Sequence, residues 1–113
     1  MSFQKYYLYI TALPTVTIQS PTYTASYGNS ITMVCTVSAL PTQTRVYWEK
    51  EGTTIINSGD AGYSGSTPTT PSLTINSVRT TDQGQYRCFA TNSVGTGSSS
   101  ATTLTVQGGK IIF

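Results

Sequence analysis

A chain of 113 residues has room for one domain around one core, and it carries only 9% charged residues, a net charge of +2 and no histidine. Its basic residues, Lys5, Arg45, Lys50, Arg79, Arg87 and Lys110, are scattered, whereas a nucleic-acid surface gathers several cations on one face. No apolar run approaches the roughly 20 residues that span a bilayer, so this stretch of chain is not expected to insert into a membrane.

The composition is rich in Thr, Val, Ile and Tyr and poor in the usual helix formers, which points to an all-β domain. Lys5 followed by the tyrosine-rich run Tyr6–Leu13 reads as a first strand, a linker from a preceding domain, leftover appended sequence or the end of a signal peptide. The expected division is an N-terminal extension over 1–13, a domain over 14–107 and a tail over 108–113. Pro14, Pro21 and the turn at Tyr27-Gly28-Asn29 frame two short edge segments, 15–20 and 22–26, where proline is tolerated. In 30–38, Ile31, Met33, Cys35 and Val37 alternate with Thr32, Val34 and Thr36, which predicts a strand with one buried face.

After a polar loop at Pro41, Thr42, Gln43 and Thr44, the run 45–50 alternates again: Val46 and Trp48 point inward, Arg45, Tyr47 and Glu49 outward. Glu51-Gly52 turns the chain into a short strand at 53–57. The Gly/Ser/Thr/Pro-rich stretch 58–71 is expected to be a mobile loop with one weak strand near 62–64. Strands are then predicted at 72–76, with Leu73 and Ile75 inward, at 85–91 and at 99–106. Short, evenly spaced strands between turns are the pattern of a sandwich or barrel.

The most specific feature is a spacing. Cys35 and Cys88 lie 53 positions apart, both at inward phases, with Trp48 between them and Tyr86 two residues before the second cysteine. The stretch Leu73-Thr-Ile75 followed by Asp82-x-Gly84-x-Tyr86-x-Cys88 resembles the end of an immunoglobulin-superfamily domain. Asn92-Ser93-Val94-Gly95 running into Ala101–Val106 is similar to the intermediate set of adhesion molecules and receptor ectodomains. The resemblance implies a Greek-key β-sandwich of two antiparallel sheets with a Cys35–Cys88 disulfide between them and Trp48 filling the space beside it. It also implies a tyrosine corner, in which Tyr86 returns its hydroxyl to backbone near 79–82. Gly84 would supply positive φ, and Asp82, with no basic residue in 53–78 to pair with it, would be satisfied by turn amides, a hydroxyl or the nearby Arg79.

A disulfide of this kind persists in oxidising compartments, so the resemblance places the domain outside the cell or on its surface, as part of a larger receptor. Related domains of giant muscle proteins, intracellular and reduced, are the alternative. Catalysis finds no support: histidine is absent, and the carboxylates are Glu49, Glu51, Asp60 and Asp82 alone, with Glu49 and Glu51 reading as solvated groups at a strand end. No cofactor or metal is implied.

Function is therefore expected on surfaces, with a protein as partner and a second copy of the chain among the options. The resemblance singles out the outer face of the sheet that the family calls GFC, here Arg45, Tyr47 and Glu49 with Gln85, Arg87 and Phe89. Tyr and Arg are the types that dominate binding hot spots. The alternatives are an immune-type module that meets non-self ligands through its loops at Pro41, Thr42, Gln43, Asn92 and Ser93, and a structural spacer in a multi-domain chain.

Overall fold

The computed structural model describes residues 10–52 and 54–109. The sequence-based readings of 1–9, of Thr53 and of 110–113 lie outside the described residues. Among those described there are eleven strands and one 3-10 turn, Thr80–Asp82. The strands are β1 (Ala12–Ile18), β2 (Thr22–Ser26), β3 (Ile31–Met33), β4 (Cys35–Leu40), β5 (Arg45–Lys50), β6 (Thr54–Ile56), β7 (Tyr63–Gly65), β8 (Leu73–Ile75), β9 (Gly84–Thr91), β10 (Thr96–Ser98) and β11 (Thr102–Gln107).

Two layers result. One holds β1 on β4 together with β3-β8-β7, where β3 and β4 are consecutive pieces of one strand path interrupted at Val34. The other is six-stranded, β2-β11-β9-β5-β6 with β10 also on β9. The first strand path changes layer at Ser20–Pro21. β1 runs antiparallel to β4, while β2 runs parallel to β11, and the crossing is held by Thr102 Oγ1 donating to the Ser20 carbonyl at 2.8 Å. β1 starts at Ala12, inside the expected extension, and its register slips by one residue between Ala12 and Thr15. Pro14 lies in that slip, where a missing amide is tolerated. A Cβ on Gly97 would stand 2.0 Å from the Pro14 carbonyl oxygen, so only glycine lets β10 approach there.

The period-two patterns translate into a core between the layers. Met33, Trp48, Leu73, Val78, Tyr86, Cys88 and Leu104 are all fully buried. Cys35 and Cys88 are joined, their Cα atoms 6.4 Å apart, bridging the layers beside Trp48. The all-β, disulfide-pinned sandwich is thus as expected.

The 58–71 stretch differs from expectation. Its strand is β7, and residues 66–72 close into a hydrogen-bonded loop: the Ser66 amide donates to the Ser72 carbonyl at 3.0 Å and the Thr67 amide to Thr70 at 3.0 Å. Trp48 Nε1 donates to the Pro71 carbonyl at 2.8 Å, and Gln43 Nε2 to the Pro68 carbonyl at 2.8 Å. A buried indole N–H needs an acceptor, and this loop supplies it.

Candidate functional site

The outer face of the six-stranded layer is built on the β5–β9 ladder. Antiparallel pairing sets Arg45 against Thr91, Tyr47 against Phe89 and Glu49 against Arg87, while the intervening rungs pair Val46 with Ala90 and Trp48 with Cys88 on the core side. Strand alternation therefore delivers all six expected residues to one face: Arg45, Gln85 and Arg87 exposed, Tyr47, Glu49 and Phe89 half-buried.

At the centre the Tyr47 and Phe89 rings stack, centroids 5.0 Å apart and planes within 4°. The Arg45 guanidinium carbon stands 4.2 Å above the centre of the Tyr47 ring. An aromatic pair contributes about 0.5–1.5 kcal/mol beyond its burial, and an exposed cation–π contact about 0.5–1 kcal/mol. Arg45 Nη2 also donates to Asn57 Oδ1 at 2.8 Å. Asn57 had no signal in the sequence, because its place beside Arg45 depends on the pairing of β6 with β5. That pairing also sets Ile55 against Glu49, 49% exposed on the same face.

Beyond the aromatic rung the face dips into a shallow groove of about 310 Å³, lined by Glu49, Glu51, Gly52, Gln85, Arg87 and Phe89. Its rim depends on a clasp that the sequence did not reveal. Glu51 adopts φ 56°, which turns its side chain back over β9, and its Oε1 accepts the Gln85 amide at 3.0 Å. Gly84, at φ 150°, leaves the room: a Cβ there would lie 1.9 Å from Glu51 Oε1. Lys50 Nζ donates to the Thr81 carbonyl across the same corner.

The loop end contains a residue whose role differs from expectation. Asn92 is buried, 4% exposed, and its amide nitrogen donates to the Ala12 and Pro41 carbonyls at 2.9 and 3.0 Å. Its Oδ1 accepts the Val94 and Gly95 amides at 2.9 and 3.2 Å. Asn92 therefore ties three chain segments together and offers nothing outward. Thr42 and Ser93 are exposed, Pro41 and Gln43 half-buried. Around this knot stand Leu13, Leu40 and Val94, 52%, 52% and 47% exposed, apolar side chains that sequence reading of these loops as small and polar overlooked.

Of the remaining expected residues, Cys35, Trp48, Leu73, Tyr86 and Cys88 are buried in the core, while Asp82 and Gly84 stand half-buried at the turn into β9. The Tyr86 hydroxyl donates to the Asp82 carbonyl, closing the corner, and Asp82 Oδ2 accepts the Arg79 amide at 2.7 Å. Turn amide rather than side chain satisfies Asp82. Burial, and then the Asp82 charge, push the Tyr86 phenol far above its ordinary pKa; burial, Asp82 and Asp60 raise that of Tyr63.

A family model described as "Immunoglobulin domain" matches residues 14–92. This chain belongs to the immunoglobulin domain family. Lachesin of Drosophila melanogaster is 38% identical over 73 residues, which is 65% of this chain and 19% of that protein. Neural cell adhesion molecule 1 of Bos taurus is 39% identical over 72 residues, 64% of this chain and 8% of that protein. Among solved structures, the N-terminal Ig1-2 module of the Drosophila receptor protein tyrosine phosphatase DLAR superposes with a TM-score of 0.68 at 31% identity. The match covers 87% of this chain and 47% of that one. This immunoglobulin domain thus spans less than a fifth of the length of Lachesin and of neural cell adhesion molecule 1, and about half of the DLAR module.

Proposed function

We infer that this domain is a non-catalytic, protein-binding module of a cell-surface adhesion or receptor protein, and that it meets its protein partner with the outer face of β5 and β9. The observation that carries the reading is the Tyr47–Phe89 stack with Arg45 over the Tyr47 ring, an ordered aromatic centre with Glu49 and Arg87 on the next outward rung. Interface cores favour aromatics and Arg. Stacking holds both rings in one geometry before any partner arrives, which lowers the ordering cost of association. A cell-adhesion molecule and a receptor phosphatase among the similar proteins support the class. The closed Cys35–Cys88 bridge supports an extracellular site.

A second reading favours the loop end, because Leu13, Leu40 and Val94 expose apolar surface around Asn92. One experiment separates the two. Suspension cells displaying the domain on a membrane tether are scored for adhesion to one another and to parental cells that lack it. Adhesion in either format that Tyr47→Ala and Phe89→Ala abolish, while Leu40→Ser and Val94→Ser leave it intact, is the expected result. Loss only in the loop variants, or no adhesion in either format, contradicts the reading.

A further inference from the structure

Between β7 and β8 the chain runs Ser66-Thr67-Pro68-Thr69-Thr70-Pro71-Ser72, five hydroxyl residues and two prolines that join neither layer. Ser and Thr interspersed with Pro is the composition of O-glycosylated stalks. Proline disfavours helix at itself and at the residue before it, so such a backbone stays extended and presents its hydroxyls to an enzyme.

Folding divides the five hydroxyls into two groups. Ser66 is buried and donates to the Ile56 carbonyl at 3.4 Å. Ser72 is half-buried, and its Oγ accepts the Cys35 amide at 3.1 Å. Thr67 is also half-buried, with its Oγ1 accepting the Thr70 amide at 2.9 Å. Thr69 and Thr70 are exposed. The Thr69 hydroxyl reaches only Thr67 Oγ1, at a long 3.5 Å, and that of Thr70 has no hydrogen-bond partner among the described residues. Their support is fixed, because the Pro68 and Pro71 carbonyls accept Gln43 Nε2 and Trp48 Nε1.

We propose that Thr69 and Thr70 form an attachment site for a mucin-type sugar, an O-linked N-acetylgalactosamine added in the secretory pathway. The proposal rests on the extracellular reading above. The threonine Oγ1 attacks the anomeric carbon of a nucleotide-activated N-acetylgalactosamine. The bond from that carbon to the diphosphate breaks, the nucleoside diphosphate leaves with the electron pair, and the hydroxyl proton passes to solvent. Thr70 holds the loop closed through its backbone N–H and carbonyl alone, so the modified loop keeps its shape. Trp48, which reaches this loop, and Tyr47 point to opposite sides of β5. The attachment point therefore lies away from the Tyr47–Phe89 stack, beside the 41–44 loop.

Mass spectrometry of the chain, secreted from animal cells behind a secretion leader, tests this. The sequence holds no Asn-x-Ser/Thr sequon, so a sugar on it is O-linked. After enzymatic trimming to the first sugar, the tryptic peptide 51–79 is expected to be heavier by whole N-acetylhexosamine units. Electron-transfer fragmentation should place them on Thr69, Thr70 or both. In the double variant Thr69→Val, Thr70→Val that peptide returns to its unmodified mass, while the domain still melts cooperatively. An unmodified wild-type peptide, a sugar confined to Ser66, Thr67 or Ser72, or a hexose in place of the N-acetylhexosamine overturns the proposal. Thiol titration of the same sample keeps its failure apart from that of the reading beneath it. A closed Cys35–Cys88 bridge on an unglycosylated domain sinks the sugar alone, whereas free thiols remove the extracellular reading as well.

Discussion

Glu51 occupies the space that a side chain on Gly84 would need: its carboxylate oxygen lies 1.9 Å from the position of a Cβ there, while it accepts the Gln85 amide at 3.0 Å. The groove on the candidate face and the start of β9 are therefore fixed by one contact between two residues 33 positions apart (84 − 51). Gly84→Ala evicts the carboxylate, leaves the Gln85 amide without its partner and strains a φ of 150°. Loss of a capped donor and backbone strain together predict destabilisation of about 2–4 kcal/mol, read by urea denaturation. Glu51→Gln, which keeps an acceptor, loses far less.

Asn92 is the second structural keystone. Replacing it with Ala strands two carbonyls and two amides at the loop end. Buried unsatisfied groups cost about 1–3 kcal/mol each before water reaches them, so Asn92→Ala is expected to lower stability by about 2–4 kcal/mol. Hydrogen exchange checks the mechanism: the amides of Val94 and Gly95 lose protection first, ahead of those in the β5–β9 ladder.

These two residues mark the limit of what the sequence made legible. Cys35, Trp48, Tyr86 and Cys88 were readable because strand alternation fixes inward phase over a few residues, and the layers then meet on them. The six face residues were readable for the same reason, being the outward phase of the same strands. Glu51, Asn57 and Asn92 act through partners 34, 12 and as many as 80 residues away. Such contacts exist only once registers and turns are set. Composition alone marks 58–71 as a mobile loop, yet its 66–72 end closes on itself and supplies the acceptor that the Trp48 indole N–H needs.

Alkaline pH should unfold the domain. Tyr86 and Tyr63 have native pKa values raised above the ordinary 10.0 by burial and by Asp82. Below that value both states hold the protons and the fold has its full stability. Above it the unfolded chain loses protons that the native state retains, so stability falls by about 1.4 kcal/mol per pH unit for Tyr86 until its raised native pKa is reached, with Tyr63 acting in the same direction. Phenolate absorbance and circular dichroism recorded together above pH 10 should show the last tyrosines ionising with unfolding. Tyr86→Phe removes most of that coincidence.

The disulfide and the face should be separable. Closing a loop of 53 residues contributes about 4 kcal/mol in the chain-entropy model. The double change Cys35→Ala, Cys88→Ala is expected to lower Tm markedly. At temperatures where it remains folded, its near-ultraviolet signal from the Tyr47–Phe89 pair should match wild type, because that pair lies on the opposite side of β5 and β9.

The central claim, that function lies on the outer face of the six-stranded layer, is tested most directly by covering that face without disturbing its residues. Thr103, on β11 beside Gln85, lies two positions before Thr105, so Thr103→Asn completes an Asn-x-Thr glycosylation sequon there. Thr36→Asn does the same with Ser38 on the exposed side of β4, in the other layer. Both glycosylated forms are displayed on suspension cells and scored for adhesion. The glycan at position 103 is expected to abolish adhesion and that at position 36 to leave it unchanged; full adhesion with position 103 glycosylated would contradict the account.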